Sequence, residues 1–370
     1  MTLRTCDACL RRTDLLGALA ARLDVEWRRR SAPSGVLSLS DDALIALDPT
    51  GAAARRHARF RPETAREQIA AAGLTATCRC SDRFPPRLLE LPDPPAVLHV
   101  AGDAGALDDE AAVAVVGARR GTPYGLEVAR GLGRSLSAAG ATVVSGLALG
   151  VDAAAHLGAL DGTGALVAVL AGGADRPYPA RHRALHRRVA ERGCVVSELP
   201  PGVGPHRWAF VARNRIIAGL SAMTIVVEAT ERSGSLTTAD FAVQAGRAVG
   251  AVPGPVTSRF SAGANALIAA GAAVVRDVRD VLDVVPDAGT AAEVAAAAVG
   301  VAEPPEPELR RLLDRIERGA GTAAELAPDP EAFGRVLHGL TELELRGLVR
   351  RDFGGRYVRA LGGGEGAAAR

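Results

Sequence analysis

Six short apolar runs rich in β-branched residues recur between Val113 and Val252: Val113–Val116, Thr142–Ser145, Ala165–Leu170, Val195–Ser197, Thr224–Val227 and Ala248–Val252. Helical patterns at Leu126–Ala138, Asp152–Leu160, Arg181–Glu191 and Leu236–Ala245 separate several of them. Runs that are apolar throughout suit strands covered on both faces, and strand–helix alternation calls for crossover connections. The expected class is therefore α/β, a Rossmann-like doubly wound parallel sheet with helices on both faces.

A chain of 370 residues exceeds what one core usually serves, so further domains are expected. Residues 1–75 read as a small arginine-rich helical domain, with Leu15, Leu16, Leu19 and Leu23 at helical spacing. Further helices are expected at Asp41–Leu47, capped by Ser40 or Asp41, and at Pro62–Ala72. The core occupies 76–285, and an Ala- and Pro-rich linker covers 286–305, with the "EPPEPE" stretch beginning at its end. Residues 306–361 read as a winged helix: Glu308–Glu317, Thr322–Leu326 and Phe333–Arg346, then the two-stranded "GLVRRDFGGRYVR". A flexible Gly/Ala-rich tail, 362–370, follows. No secretory signal opens the chain, and the longest uncharged runs, Ser135–Val151 and Phe260–Val275, are short and broken by Gly, Ser or Asn. Five cysteines without a signal imply a reducing, cytoplasmic setting and no membrane association.

All 44 basic residues are arginine. The missing lysine removes a P-loop lysine, a Schiff base and a Ser-x-x-Lys nucleophile pair. Arginine suits bidentate recognition of phosphate, so the composition leans towards binding and away from catalysis. The net charge of +2 is unevenly spread. Val116–Arg247 holds fifteen arginines against nine acids, whereas Glu306–Leu361 balances ten against ten. A winged helix that read duplex DNA should be the basic part, and here it is not. Twelve aromatic residues leave little for an extended base-stacking platform.

In an open parallel sheet, ligands bind beyond the carboxyl ends of the strands, near the reversal of strand order. Unusual residues cluster there. Gly117, Arg119 and Arg120 follow the first core strand; Ser145 and Gly146 close the second; Arg181 lies beyond the third, after Tyr178 and Pro179. Arg213, Asn214 and Arg215 read as the opening of a helix, and Ser233, Gly234 and Ser235 lead into another. Free N–H groups at such turns, with arginines beside them, form a phosphate-binding rim. A G-x-G-x-x-G fingerprint is missing and Ser145 stands where a ribose-binding acid would sit, which argues against a nicotinamide cofactor. Asp152 and His156 share a helix face that Glu228 can approach; without a metal-ligand motif they read as a structural polar cluster. Cys6-x-x-Cys9 and Cys78-x-Cys80 offer four thiols for zinc, but Cys-x-Cys is a tight spacing and the pairs are far apart in the chain. Four unrelated free thiols, with no metal and no cofactor, are the expectation.

"VVGARRGTPYGLEVAR", "SGLALGVDAAAH", "ARNRIIAGLS", "VVEATERSGSLTTA" and "AVPGPVTSRFSAGANALIAAGA" stand in an order that resembles the DNA-processing protein A (DprA/Smf) family, over roughly Phe84–Ala273. The resemblance implies a cytoplasmic homodimer without enzymatic activity. Such a protein binds and protects incoming single-stranded DNA and loads the RecA recombinase in natural transformation (competence) or DNA recombination. It carries over Arg119 as a phosphate-binding arginine, Arg213, Asn214 and Arg215 as a backbone-binding segment, and Ser145 and Gly146 as a small-residue turn. Ala118, Ala180, His182 and Val211 depart from the family's pattern. The alternative is a nucleotide-processing enzyme with a lysine-decarboxylase-like Rossmann core, but the Pro-Gly-Gly-x-Gly-Thr loop of those enzymes is represented only by Ser233–Thr238.

Overall fold

The computed structural model describes residues 5–29, 34–285 and 306–359, apart from 328, 330, 347 and 352–354. The expected linker at 286–305 and tail at 362–370 lie outside the described residues.

Six helices come first: α1 (Asp7–Ala18), α2 (Ala20–Arg29), α3 (Ser34–Leu37), α4 (Asp41–Ile45), α5 (Ala52–Ala58) and α6 (Pro62–Ala71). Ser40 caps α4, its hydroxyl accepting from the Ala43 N–H at 3.2 Å, and Pro62 starts α6. The strands and helices of the sheet follow: β1 (Thr75–Cys78), α7 (Pro86–Leu89), β2 (Val97–Gly102), β3 (Val113–Val116), α8 (Pro123–Ala138), β4 (Val143–Ser145), α9 (Val151–Ala159) and β5 (Leu166–Val169). They continue with α10 (Arg183–Arg192), β6 (Gly193–Ser197), α11 (Arg207–Leu220), β7 (Met223–Val226), α12 (Leu236–Gln244), β8 (Ala248–Ala251), α13 (Ala262–Ala269), β9 (Ala273–Val274) and α14 (Val278–Leu282).

The strands form one nine-stranded sheet in the order β1-β2-β6-β5-β4-β3-β7-β8-β9. From β6 to β9 every neighbouring pair is parallel, as the strand–helix alternation requires. β1 and β2 add an antiparallel edge that the apolar runs did not announce. Alternate residues of each strand point to opposite faces, and each face meets its own helices. Val113, Val115 and Val143 pack with Leu132 and Leu136 of α8, Ala155 of α9 and Val189 of α10. Ala114, Val116 and Val144 pack with Leu88 of α7, Ile216 and Ile217 of α11, Ala239 of α12 and Ala264 of α13.

The amino-terminal helices share one compact unit with the sheet. Their leucine stripe, Leu15, Leu16, Leu19 and Leu23, is buried against Ala171, Leu199, Trp208 and Ala212. Trp208 at the start of α11 is fully buried, and its indole N–H donates to the Ala20 carbonyl at 2.8 Å.

A second unit contains α15 (Pro307–Glu317), α16 (Ala323–Leu326), α17 (Phe333–Leu345) and an antiparallel pair, β10 (Val349–Arg351) and β11 (Tyr357–Arg359). Leu309, Leu313, Leu326, Leu340, Leu343, Val349 and Tyr357 form its core. Thr322 and Glu325 make a reciprocal capping box at the start of α16. Among the described residues no helix is long and apolar enough to cross a membrane.

Candidate nucleic-acid interface

From β3 the chain builds outward in one direction to β4, β5 and β6, then returns to β3's other side and continues to β7, β8 and β9. The strand order reverses between β3 and β7, and the turns that leave those two strands open a crevice. The crevice is a cavity of about 360 Å³, and Gly117–Arg120, Arg213, Asn214 and Ser233–Ser235 contribute to its lining.

Arg119 sits exposed at the mouth. Its guanidinium carbon lies 4.8 Å from the centre of the Phe210 ring, and Phe210 in turn meets Tyr178 at 5.4 Å between ring centres. The arrangement is a cation–π stack with an aromatic neighbour, and it keeps an arginine charge in solvent while fixing where it stands. Phe210 is only half-buried and Tyr178 is exposed. Phe210 was not among the expected site residues; its i, i+3 spacing from Arg213 on one helix is the signal that could have found it.

Arg213 lies deeper and is buried. Its Nη1 donates to the Val169 carbonyl at 3.1 Å, and its Nη2 stands 3.6 Å from an Asp152 carboxylate oxygen. Asp152 also accepts the N–H groups of Gly146 and Ala148, at 3.2 and 3.4 Å, so one carboxylate holds both the arginine and the turn after β4. Burial pushes the Asp152 carboxyl up, against the pull of Arg213. Gly146 is there because Arg213 crosses it; a methyl group at that position would collide with the guanidinium. Gly150, at φ +80°, lets the same turn abut the Ala118–Arg119 backbone, where a side chain would strike the Ala118 carbonyl.

Arg215 points elsewhere. It is 2% exposed and forms a two-pronged contact with Glu198, at 3.0 and 2.7 Å, while its Nε donates to the Asp93 carbonyl at 3.0 Å. Its carboxylate partners are thus Glu198 and Asp93, whose side chain lies 3.3 Å away. Asn214 donates to the Gly234 carbonyl at 3.2 Å and the Thr237 hydroxyl at 2.8 Å, which shapes the turn into α12. Ser233 and Ser235 hydroxyls pair at 2.8 Å on that turn, beside the amino end of α12.

Three expected placements are corrected by the geometry. Arg213–Arg215 do not open a helix: α11 begins at Arg207, and the Asp24 carboxylate, reaching over from α2, caps it by accepting the Trp208 N–H at 2.9 Å. The helix's free N–H groups are therefore remote from Arg213. Ser145 is fully buried, and its hydroxyl donates to the Val115 carbonyl at 2.7 Å, away from the crevice. Asp152, His156 and Glu228 do not form one cluster. Glu228 accepts the N–H and hydroxyl of Thr122, at 2.8 and 2.6 Å, and secures the start of α8. His156 is fully buried without a hydrogen-bond partner in the structure, and burial, then the charges of Arg213 and His182, holds it down to about 3, so it is neutral. Arg120 lines the cavity mouth, and Arg181 is exposed beyond Tyr178 and Pro179, outside the cavity lining. His182, one of the departures from the family pattern, meets the Leu147 carbonyl at 2.9 Å through Nδ1 and so helps hold the turn after β4.

The sequence model of the DNA recombination-mediator protein A family matches residues 75–286. A DNA processing protein DprA of Mycobacterium tuberculosis is 44% identical over 286 residues, covering 75% of this chain and 73% of its own. The protein Smf of Synechocystis is 34% identical over 308 residues, 74% of this chain and 77% of that one. The X-ray structure of DNA processing protein A from Streptococcus pneumoniae superposes with a TM-score of 0.61 at 30% identity, over 76% of this chain and 98% of that chain. A structure of the Helicobacter pylori protein, described for its single-stranded DNA binding mode, superposes with a TM-score of 0.53 at 29% identity, over 58% of this chain and 98% of that one.

Proposed function

The chain belongs to the DNA recombination-mediator protein A (DprA/Smf) family, and on that footing we propose that it binds single-stranded DNA across the crevice between β3 and β7. The observation that carries this reading is the Arg119–Phe210–Tyr178 stack at the mouth of the cavity. Single-strand binding needs charges that follow the phosphates and aromatic faces on which bases rest, and both stand here within one side chain's reach. Arg120 and the amino end of α12 at Ser233–Ser235 extend the phosphate-binding rim along the cavity. Arg213 contributes from beneath, through the turn it holds, and Arg215 by bracing α11.

The work is binding, not bond-breaking. The DNA processing named for the relatives is then protection of a single strand and its delivery to the RecA recombinase in natural transformation or recombination, by a cytoplasmic homodimer. Relatives named for DNA processing and a superposable single-strand-binding structure support this reading.

Fluorescence anisotropy with a labelled single strand and with its duplex tests it, run beside a nucleoside monophosphate hydrolysis assay. Tighter binding of the single strand, with no hydrolysis, is the expected result. Hydrolysis with no preference for single strands would replace the binding protein with a nucleotide-processing enzyme.

A further inference from the structure

Four of the five cysteines meet at one point. Cys6 caps the start of α1, Cys9 lies one turn into it, Cys78 ends β1, and Cys80 sits in the turn that follows. All four sulfurs lie within 4.8 Å of one another. Cys9 and Cys80 are 3.8 Å apart, and the Cys6 backbone N–H points at the Cys78 sulfur at 3.3 Å. The expectation of four unrelated thiols is overturned on this point: residues some seventy positions apart in the chain are neighbours because α1 packs against the β1 edge.

We propose that these four thiols hold one zinc ion as a structural site. Sulfurs placed at about 2.3 Å from a tetrahedral ion stand about 3.8 Å from each other, which is the Cys9–Cys80 separation. Four soft thiolates with no oxygen or nitrogen ligand among them select zinc over magnesium, calcium or manganese. Sulfurs this close together suit a single ion, since the four sulfurs that hold an iron–sulfur cluster are spread over two or more irons and do not all converge on one point. The Cys6 N–H donating to sulfur is the outer support that a thiolate ligand needs. On binding, the thiols release their protons to solvent and the ion offsets half of the resulting negative charge. The fifth cysteine, Cys194, is buried alone in the sheet core and takes no part.

The ion would staple α1 to the sheet edge, and α1 connects through Glu198 to α11, the helix that carries Arg213 and Asn214. The Thr13 hydroxyl on α1 donates to the Glu198 carbonyl, and the Glu198 carboxylate is the partner of Arg215 on α11. The site therefore belongs to the support of the crevice, not to its DNA-binding surface.

Elemental analysis of the full chain, purified without chelator and without added metal, should give about one zinc per chain. The paired variant C9S/C80S should lose the zinc and C194S should keep it. A second measurement needs no variant. In the native protein the four clustered thiols should resist a thiol reagent until a strong chelator is added, and then all four should react while the melting temperature falls. Zinc below half an equivalent, iron in its place, zinc retained in C9S/C80S, or four thiols that react at once in the untreated protein would each overturn the site.

Discussion

Arg213 and Arg215 stand two positions apart on α11 and face opposite demands. Arg215 is sealed between Glu198 and Asp93, so its removal strands two buried carboxylates. R215A should lose about 3–5 kcal/mol of stability, seen as a lower denaturant midpoint, because breaking a buried pair leaves charge uncompensated. Arg119 is exposed, and its truncation should leave stability unchanged. R119A should instead weaken single-strand binding and lower its salt dependence by roughly 0.7 in slope, the release expected for one single-strand phosphate contact. A stable R215A, or an R119A with unaltered salt slope, would reverse these assignments. Two histidines set a pH limit. His99 and His156 are fully buried, and burial holds them down to about 4 and about 3. Their ordinary value in the unfolded chain is about 6.5, so below that pH the unfolded chain takes up protons that the folded chain refuses. Stability is whole above about 6.5 and falls as pH drops towards the folded values, by up to about 1.4 kcal/mol per pH unit for each histidine. Urea midpoints at several pH values should show this slope in the native protein and a shallower one in H156Q. Equal slopes would mean that His156 is protonated in the fold.

What the sequence disclosed at the level of elements followed from local chemistry. The six apolar runs and the helices between them are periodic signals, and each overlaps an observed element, all but Val113–Val116 missing an end by up to a few residues. The start of α11 carries no such signal. His206 and Arg207 offer no capping side chain, and the cap comes from Asp24, 182 positions before His206. A helix whose cap is supplied by tertiary packing cannot be bounded from its own residues, which is why Arg213 looked like an opening. β1 was unreadable for a related reason. It is four residues long, and its partner β2 begins nineteen positions after β1 ends, with α7 between them and no hairpin turn. The rim residues split the same way. Arg119 and Ser233–Ser235 belong to turns that must face the crevice, whereas Ser145 ends a strand and its side chain can go to either side. The cap itself is testable. D24A should cost about 1 kcal/mol in stability, the usual loss on removing a helix cap, without altering the salt dependence of binding. No loss of stability would show that the α2–α11 contact rests on Trp208 alone.

At the scale of the molecule, charge and geometry agree on where DNA should lie. The arginine surplus falls within Val116–Arg247, the span that builds the crevice, while Glu306–Leu361 is balanced. The second unit has its own core and its own cap. On the proposed function, the crevice between β3 and β7, with Arg119 over Phe210 at its mouth, is the single-strand site. Its most direct test is one anisotropy titration series of a labelled single strand against the full chain, the chain ending at Val285, and the full chain carrying F210A. The shortened chain should keep most of the affinity. F210A should lose about 1–3 kcal/mol of binding, the worth of one stacked base, with its salt slope unchanged. Affinity that disappears with the second unit and survives F210A would place the DNA site outside the crevice.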